Sequence, residues 1–167
     1  MELWDAYDEN RQKLEGRSLI RGEPIPAGVY HLVCDILVRH TDGTFLLMQR
    51  DPRKHFGGMW EATAGGSALQ GEAPLEAAFR ELREETGIEA KTLRELGWQS
   101  SHDTHYCEFF CLTDCAKNAV ILQEGETVAY RWVTADELLA MRRETIVTKR
   151  MQQYLETILG PYDCRTW

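Results

Sequence analysis

Apolar residues recur along this chain with two periods, and the change from one to the other marks the elements. Tyr30 to His40 is rich in Val, Ile and Leu, Thr41-Asp42-Gly43 supplies turn chemistry, and Thr44 to Arg50 resumes the apolar run, which predicts a β-hairpin. Further strands are predicted at Leu93 to Ser101, His105 to Leu112 and Thr127 to Val133, each carrying aromatic or β-branched residues, in a mixed or antiparallel sheet. From Ala73 the period lengthens. Leu75, Ala78, Phe79 and Leu82 fall on one stripe of a helix that reaches Thr86 and stops at Gly87, a natural left-handed cap. A second helix is predicted from Thr134, whose capping box with Glu137 precedes Leu138 and Leu139, and a third from about Thr145 to Leu159, stopped by Gly160-Pro161. The longest loop-like stretch runs from Gly16 to Gly28. No repeat or linker divides the chain, so one domain over 1–167 is expected, with about 1–28 an N-terminal extension packed on it. Helices interspersed among hairpin-like strands point to α+β or mixed α/β packing.

Composition narrows the function. With 167 residues, 43% hydrophobic and 28% charged, the chain has the make-up of an ordinary globular protein rather than a disordered tail. Its 27 acidic against 19 basic residues leave a net charge of −8, which repels a polyanion and argues against nucleic acid as a partner. The start, MELWDAYDENRQK, has no apolar signal region, and no apolar stretch approaches the ~18 residues of a bilayer span. A cytoplasmic protein with no membrane partner is expected. The five cysteines, Cys34, Cys107, Cys111, Cys115 and Cys164, form an odd set, so reduced thiols are the default. Cys107 and Cys111 sit in a strand-like run, where even spacing puts both on one face without any metal role.

The candidate chemistry lies in GGSALQGEAPLEAAFRELREETGI, Gly65 to Ile88. At about 100° per residue Glu84 lies about 60° to one side of Glu81 and Glu85 about 40° to the other, so three carboxylates share one helical stripe. Like charges so placed repel and favour a cation, best a hard, oxygen-preferring Mg²⁺ or Mn²⁺. The alternative is a solvated face laced by the i, i+4 pairs Glu76 to Arg80 and Arg80 to Glu84.

These residues resemble the Nudix hydrolases, whose box Gly-x5-Glu-x7-Arg-Glu-U-x-Glu-Glu-x-Gly-U, with U aliphatic, is met by Gly66, Glu72, Arg80, Glu81, Leu82, Glu84, Glu85, Gly87 and Ile88. Coincidence across a chain of this length is on the order of 10⁻⁶ at average residue frequencies. The resemblance implies an α/β/α sandwich with a mixed sheet and a loop-helix-loop metal site. It also implies hydrolysis of a diphosphate linking a nucleoside or related group to another moiety. Glu81, Glu84 and Glu85 would hold the metal with the Gly66 carbonyl, Glu81 would orient or deprotonate water, Arg80 would pair with a box carboxylate, and Glu72 would tie the loop to the helix. A further glutamate from a late loop often completes such a site. Glu126 in Gln123-Glu124-Gly125-Glu126 is well placed for it, with Glu124 the alternative, although a solvated acidic turn looks the same.

The similarity extends further. WDAYDENRQKLEGRSLIRGEPIPAGVYHL and the Trp60 to Glu72 segment are similar to the isopentenyl-diphosphate isomerase-like branch of the superfamily. True isomerases carry a Cys two positions before a His in the segment leading into the box, where this chain has Gly65 and Ser67. The isomerase thiol and one ligand imidazole are therefore missing, and a hydrolase is expected ahead of an isomerase or a non-catalytic binding module. His31 matches an isomerase ligand position but is expected to be a strand residue with a satisfied hydrogen bond. For substrate, Arg50, Arg53 and Lys54 form a local positive patch suited to diphosphate oxygens, or a solvated loop. Trp60 and Trp98 are large enough to stack on a base or to fill a core. A small-molecule diphosphate is the expected partner, and a homodimer is left open.

Overall fold

The computed structural model describes residues 1–147. Strands β1 (Leu3–Tyr7) and β2 (Lys13–Ile20) pair antiparallel as a separate two-stranded sheet. The stretch expected to be loop from Gly16 therefore begins as strand, because pairing with β1 imposes extended structure on a segment that lacks apolar alternation. The main sheet contains β3 (His31–His40), β4 (Phe45–Arg50), β5 (Trp60–Glu61), β6 (Thr63–Ser67), β7 (Arg94–Ser101), β8 (Thr104–Thr113) and β9 (Thr127–Val133). It is mixed: β3 runs parallel to β8 along its full length, from His31 opposite Thr104 to His40 opposite Thr113, and the remaining pairs are antiparallel. The expected β3–β4 hairpin is paired only where Arg39 faces Phe45 beside the turn. Beyond that point β6 occupies the edge of β3 from Val33 to Leu37, and β4 pairs instead with β9 and β5.

The two strand faces carry separate cores. On β3 the residues Leu32, Cys34, Ile36 and Val38, with Leu46 and Met48 of β4 and Cys107, Phe109 and Cys111 of β8, lie under helix α1 (Pro74–Thr86). Leu37, Phe45, Leu47 and Val133 point the other way, onto Leu138 of helix α2 (Ala135–Leu139) and Ile146. This period of two is the strand alternation that the apolar runs predict. Cys107 and Cys111 share the α1 face as their spacing implies, as small apolar core residues.

Helix α1 starts after Ala73, whose N–H donates to Glu76 Oε2 at 2.9 Å, and ends at Gly87 with φ 71°. Its buried face takes in Ala78 and Leu82 of the predicted stripe and extends to one side of it. Ala77, Ala78, Leu82, Glu85 and Thr86 are buried, so the centre of contact falls near Ala78, about 20° round the helix from Glu85, while Leu75 in the first turn is exposed. Small Ala77 and Ala78 let the helix approach the sheet, and the glutamates ride inward with it. Thr134 caps α2 as expected, its Oγ1 accepting the Glu137 N–H at 3.2 Å. Of the helix expected over Thr145 to Leu159, the first three residues form a turn and an isolated bridge between Ile146 and Trp60; the rest lies outside the described residues. No helix among the described residues is long and apolar enough to cross a membrane.

Candidate functional site

Helix α1 and strand β6 meet where the box begins, and two glycines make the approach tolerable. A Cβ on Gly66 would lie 2.7 Å from the Glu81 carboxylate, and one on Gly65 would lie 2.1 Å from the Cys34 carbonyl oxygen. Position 66 is thus kept bare so that Glu81 can fold over the strand. Position 65 has no room for any side chain on this backbone.

Arg80 organises the acidic groups. Its Nε and Nη2 donate to both oxygens of Glu72 at 2.8 and 2.9 Å, and Nη2 also reaches the Ser67 carbonyl at 3.1 Å. Its Nη1 donates to Glu81 Oε1 at 2.6 Å and Glu84 Oε2 at 3.1 Å. Glu72 above all, then Glu81, holds the guanidinium more firmly protonated than usual despite its partial burial. Burial alone would raise Glu72, but its bonds to Arg80 and the Leu69 N–H hold it below the ordinary carboxylate range. The three glutamates of the stripe differ in setting. Glu84 is exposed, Glu81 is half-buried and pushed up by burial against the pull of Arg80, and Glu85 is buried. Burial pushes Glu85 up to about 8, with Glu61 and Glu81 adding to the rise and the Gly65 N–H, donating to its Oε2 at 2.9 Å, opposing it.

These groups border a cavity of about 280 Å³ that also receives Glu126, Lys54, Arg21 and Glu2. Glu126 forms an ion pair with Lys54, which stitches the loop after β4 to the loop before β9; the Asp51 N–H also donates to the Glu126 carbonyl at 2.9 Å. Burial, then the nearby Arg50, lowers the Lys54 ammonium. Glu124 is not part of the cavity wall among the described residues. Arg21 and Glu2 were not suggested by sequence: they come from the N-terminal hairpin, where Arg21 Nη1 donates to Glu2 Oε2 at 2.9 Å, and no local pattern marks either residue.

The structure does not bring Arg50, Arg53 or Trp60 to the cavity wall. Arg50 is half-buried against Glu61, Arg53 grips Asp51 through Nε and Nη2 at 2.8 and 2.7 Å, and Trp60 packs against the α2-side core under the Arg131 guanidinium. His31 is a satisfied strand residue. Its Nε2 lies 2.8 Å from Thr104 Oγ1, its ring stacks on Trp4 at 4.5 Å, and burial lowers its pKa.

Among the described residues no three His, Cys, Asp or Glu side chains already converge as a ligand shell, and Arg80 Nη1 stands between Glu81 and Glu84. The donor chemistry nevertheless suits a hard divalent cation. Glu81, Glu84 and Glu85 line one cavity together with Gly66, their carboxylates offer oxygen donors, and Glu85 is buried there with a neutral N–H as its hydrogen-bond donor.

The NUDIX domain profile matches residues 29–155, a span that holds this cavity's helix, β6 and both lysine and glutamate loops. The chain belongs to the Nudix family. An uncharacterised Nudix hydrolase of Listeria monocytogenes is 35% identical over 148 residues, 85% of each chain. In fold, the Nudix hydrolase described here resembles the crystal structure of DR0079 from Deinococcus radiodurans, with a TM-score of 0.78 at 20% identity over 93% of this chain and 98% of that one. It also resembles the Nudix domain of Shewanella oneidensis NrtR, solved in complex with ADP ribose, with a TM-score of 0.62 at 18% identity over 81% of this chain and 90% of that one. Nudix hydrolases generally use divalent metals.

Proposed function

We propose that this Nudix hydrolase cleaves, with Mg²⁺ or Mn²⁺, a diphosphate linkage in a nucleoside diphosphate joined to another moiety, or in a related organic pyrophosphate. The observation that carries the reading is the gathering of Glu81, Glu84 and Glu85 on one cavity, with Glu85 buried and hydrogen-bonded by the Gly65 N–H. Glu81, Glu84, Glu85 and the Gly66 carbonyl would hold the ion. When bound, it neutralises phosphate oxygens and lowers the pKa of the attacking water. Arg80, anchored on Glu72, keeps Glu81 and Glu84 oriented toward the cavity and makes way with one nitrogen while two others stay on Glu72. Lys54 and Arg21, on walls away from the helix, face incoming diphosphate oxygens. Once Lys54 turns to substrate, the Glu126 carboxylate is free to take the proton of water. ADP ribose, the ligand of the Shewanella domain, belongs to the proposed substrate class.

The test is a panel of nucleotide sugars, dinucleoside polyphosphates and nucleotides incubated with Mg²⁺ or Mn²⁺, with products identified by mass spectrometry. Wild type is expected to release cleaved diphosphate products, and Glu84→Gln, a change at an exposed position that spares the core, to lose at least about a hundredfold in rate. Isopentenyl diphosphate is expected back unchanged, since the Gly65 backbone admits no thiol. Absence of turnover across the panel, or full activity of Glu84→Gln, would refute the reading.

A further inference from the structure

The N-terminal hairpin lies before the matched Nudix span yet grips the loop of the box. Between β6 and α1, three successive backbone N–H groups are taken. Leu69 donates to Glu72 Oε2 at 2.9 Å, Gln70 to the Leu3 carbonyl at 2.8 Å, and Gly71 to Asp5 Oδ2 at 2.8 Å. Two of these three acceptors belong to β1. Gly71 has φ 84°, a left-handed turn that the chain keeps where neighbouring groups over-determine it.

Asp5 is an unusual residue for its place. It is only 5% exposed on a short strand, and a buried carboxylate destabilises a fold unless its partners are arranged for it. Those partners are the Gly71 N–H and Lys13 Nζ at 2.7 Å, both on Oδ2. The register of β1 on β2 also slips between Asp5 and Tyr7, a bulge of the kind that re-aims a side chain. The hairpin therefore sends one carboxylate oxygen out of its own sheet to a single amide of the box loop.

We propose that Asp5 is a positioning residue of the catalytic centre: by fixing the Gly71 amide it sets Glu72, and through Glu72 the Arg80 guanidinium that orients Glu81 and Glu84. This rests on the hydrolase reading above. The relay is short, since Glu72 is the next residue, and each further link is a charge-assisted bond of 2.6 to 3.1 Å. Oriented carboxylates bind a cation more tightly than mobile ones, so a residue with no contact to ion or substrate tunes both affinity and turnover.

The test compares Asp5→Ala, Asp5→Asn and Lys13→Met in the full chain. Three quantities are read: Mn²⁺ affinity from the paramagnetic signal of free Mn²⁺, amide hydrogen exchange of residues 69–72, and kcat and KM on the best substrate. Asp5→Ala is expected to weaken Mn²⁺ binding about tenfold, to lower kcat by a similar factor with less change in KM, and to speed exchange in the loop. Asp5→Asn, whose carbonyl still accepts from Gly71, is expected to restore most of each loss. Lys13→Met leaves the Gly71 contact in place and is expected to lower the melting temperature without moving Mn²⁺ affinity. Wild-type affinity and loop protection in Asp5→Ala, an Asn variant no better than Ala, or the same losses in Lys13→Met would each overturn the proposal. Should Asp5→Ala not fold, Asp5→Glu, which keeps the charge but shifts it by one methylene, carries the same expectation. If wild type neither binds Mn²⁺ nor turns over substrate, the hydrolase reading fails; loop exchange then decides the clamp alone, and unchanged protection overturns it.

Discussion

Glu85 is the residue whose setting says most about the site. Its carboxyl is pushed to about 8, chiefly by burial, from an ordinary value of 4.5. Between those two values the folded chain keeps a proton that the unfolded chain has released. The resulting stability is complete below about pH 4.5 and disappears as pH rises through about 8. Glu81 and Glu61 are raised by burial too and add in the same sense. His31, lowered by burial, acts in the opposite sense up to its ordinary value of 6.5, so above that pH the metal-free protein is expected to melt at progressively lower temperature toward pH 8, with a shallower slope in Glu85→Gln. A bound cation needs the ionised carboxylate, so the rise in melting temperature on adding Mn²⁺ should be larger at pH 8 than at pH 6. Parallel slopes for wild type and Glu85→Gln would contradict this account.

Helix α1 has two tasks on neighbouring arcs of one face: Ala78 and Leu82 seat it on the sheet, and Glu81 and Glu85 enter the cavity beside them. Leu82 is fully buried in the core that joins β3, β4 and β8, so Leu82→Ala removes packing that holds the helix down. A loss of about 2–5 kcal/mol in urea unfolding is expected. Because the same seat fixes the glutamates, Mn²⁺ affinity should fall even where the variant remains folded. A variant destabilised to that extent with wild-type Mn²⁺ affinity would show that seat and site are independent. The predicted stripe of Leu75, Ala78, Phe79 and Leu82 holds both seating residues but leaves out Glu85, for a related reason. Apolar periodicity locates greasy positions, and here the buried arc includes a carboxylate that periodicity counts as polar.

Across the molecule, the cavity draws its walls from parts of the chain that are distant in sequence: the hairpin, the loop after β4, the box helix and the loop before β9. Among the described lining residues its cations are Arg80, saturated by three carboxylates, Lys54, paired with Glu126, and Arg21, held by Glu2 at the rim. Arg21 is the most exposed of the three and the easiest to redirect toward a substrate anion. Arg21→Ala is therefore expected to raise KM about tenfold with a smaller change in kcat, the sign of lost ground-state binding. An unchanged KM over the substrates that wild type cleaves would remove the hairpin from substrate recognition.

The box was legible from sequence because helix geometry is local. Once Ala73 to Thr86 is helical, the spacing of Glu81, Glu84 and Glu85 places them on one face whatever surrounds them, and Gly87 ends the helix by its own backbone freedom. Strand alternation, likewise local, marked β3, β4, β8 and β9. The route of β4 away from β3, the bare backbone at Gly65 and Gly66, and the burial of Glu85 were decided by tertiary contacts. So were the Lys54–Glu126 pair and the bond from Asp5 to Gly71, 66 residues apart. Such pairings depend on which surfaces meet after the sheet closes, and side chains joined across that distance leave no periodic trace in the chain.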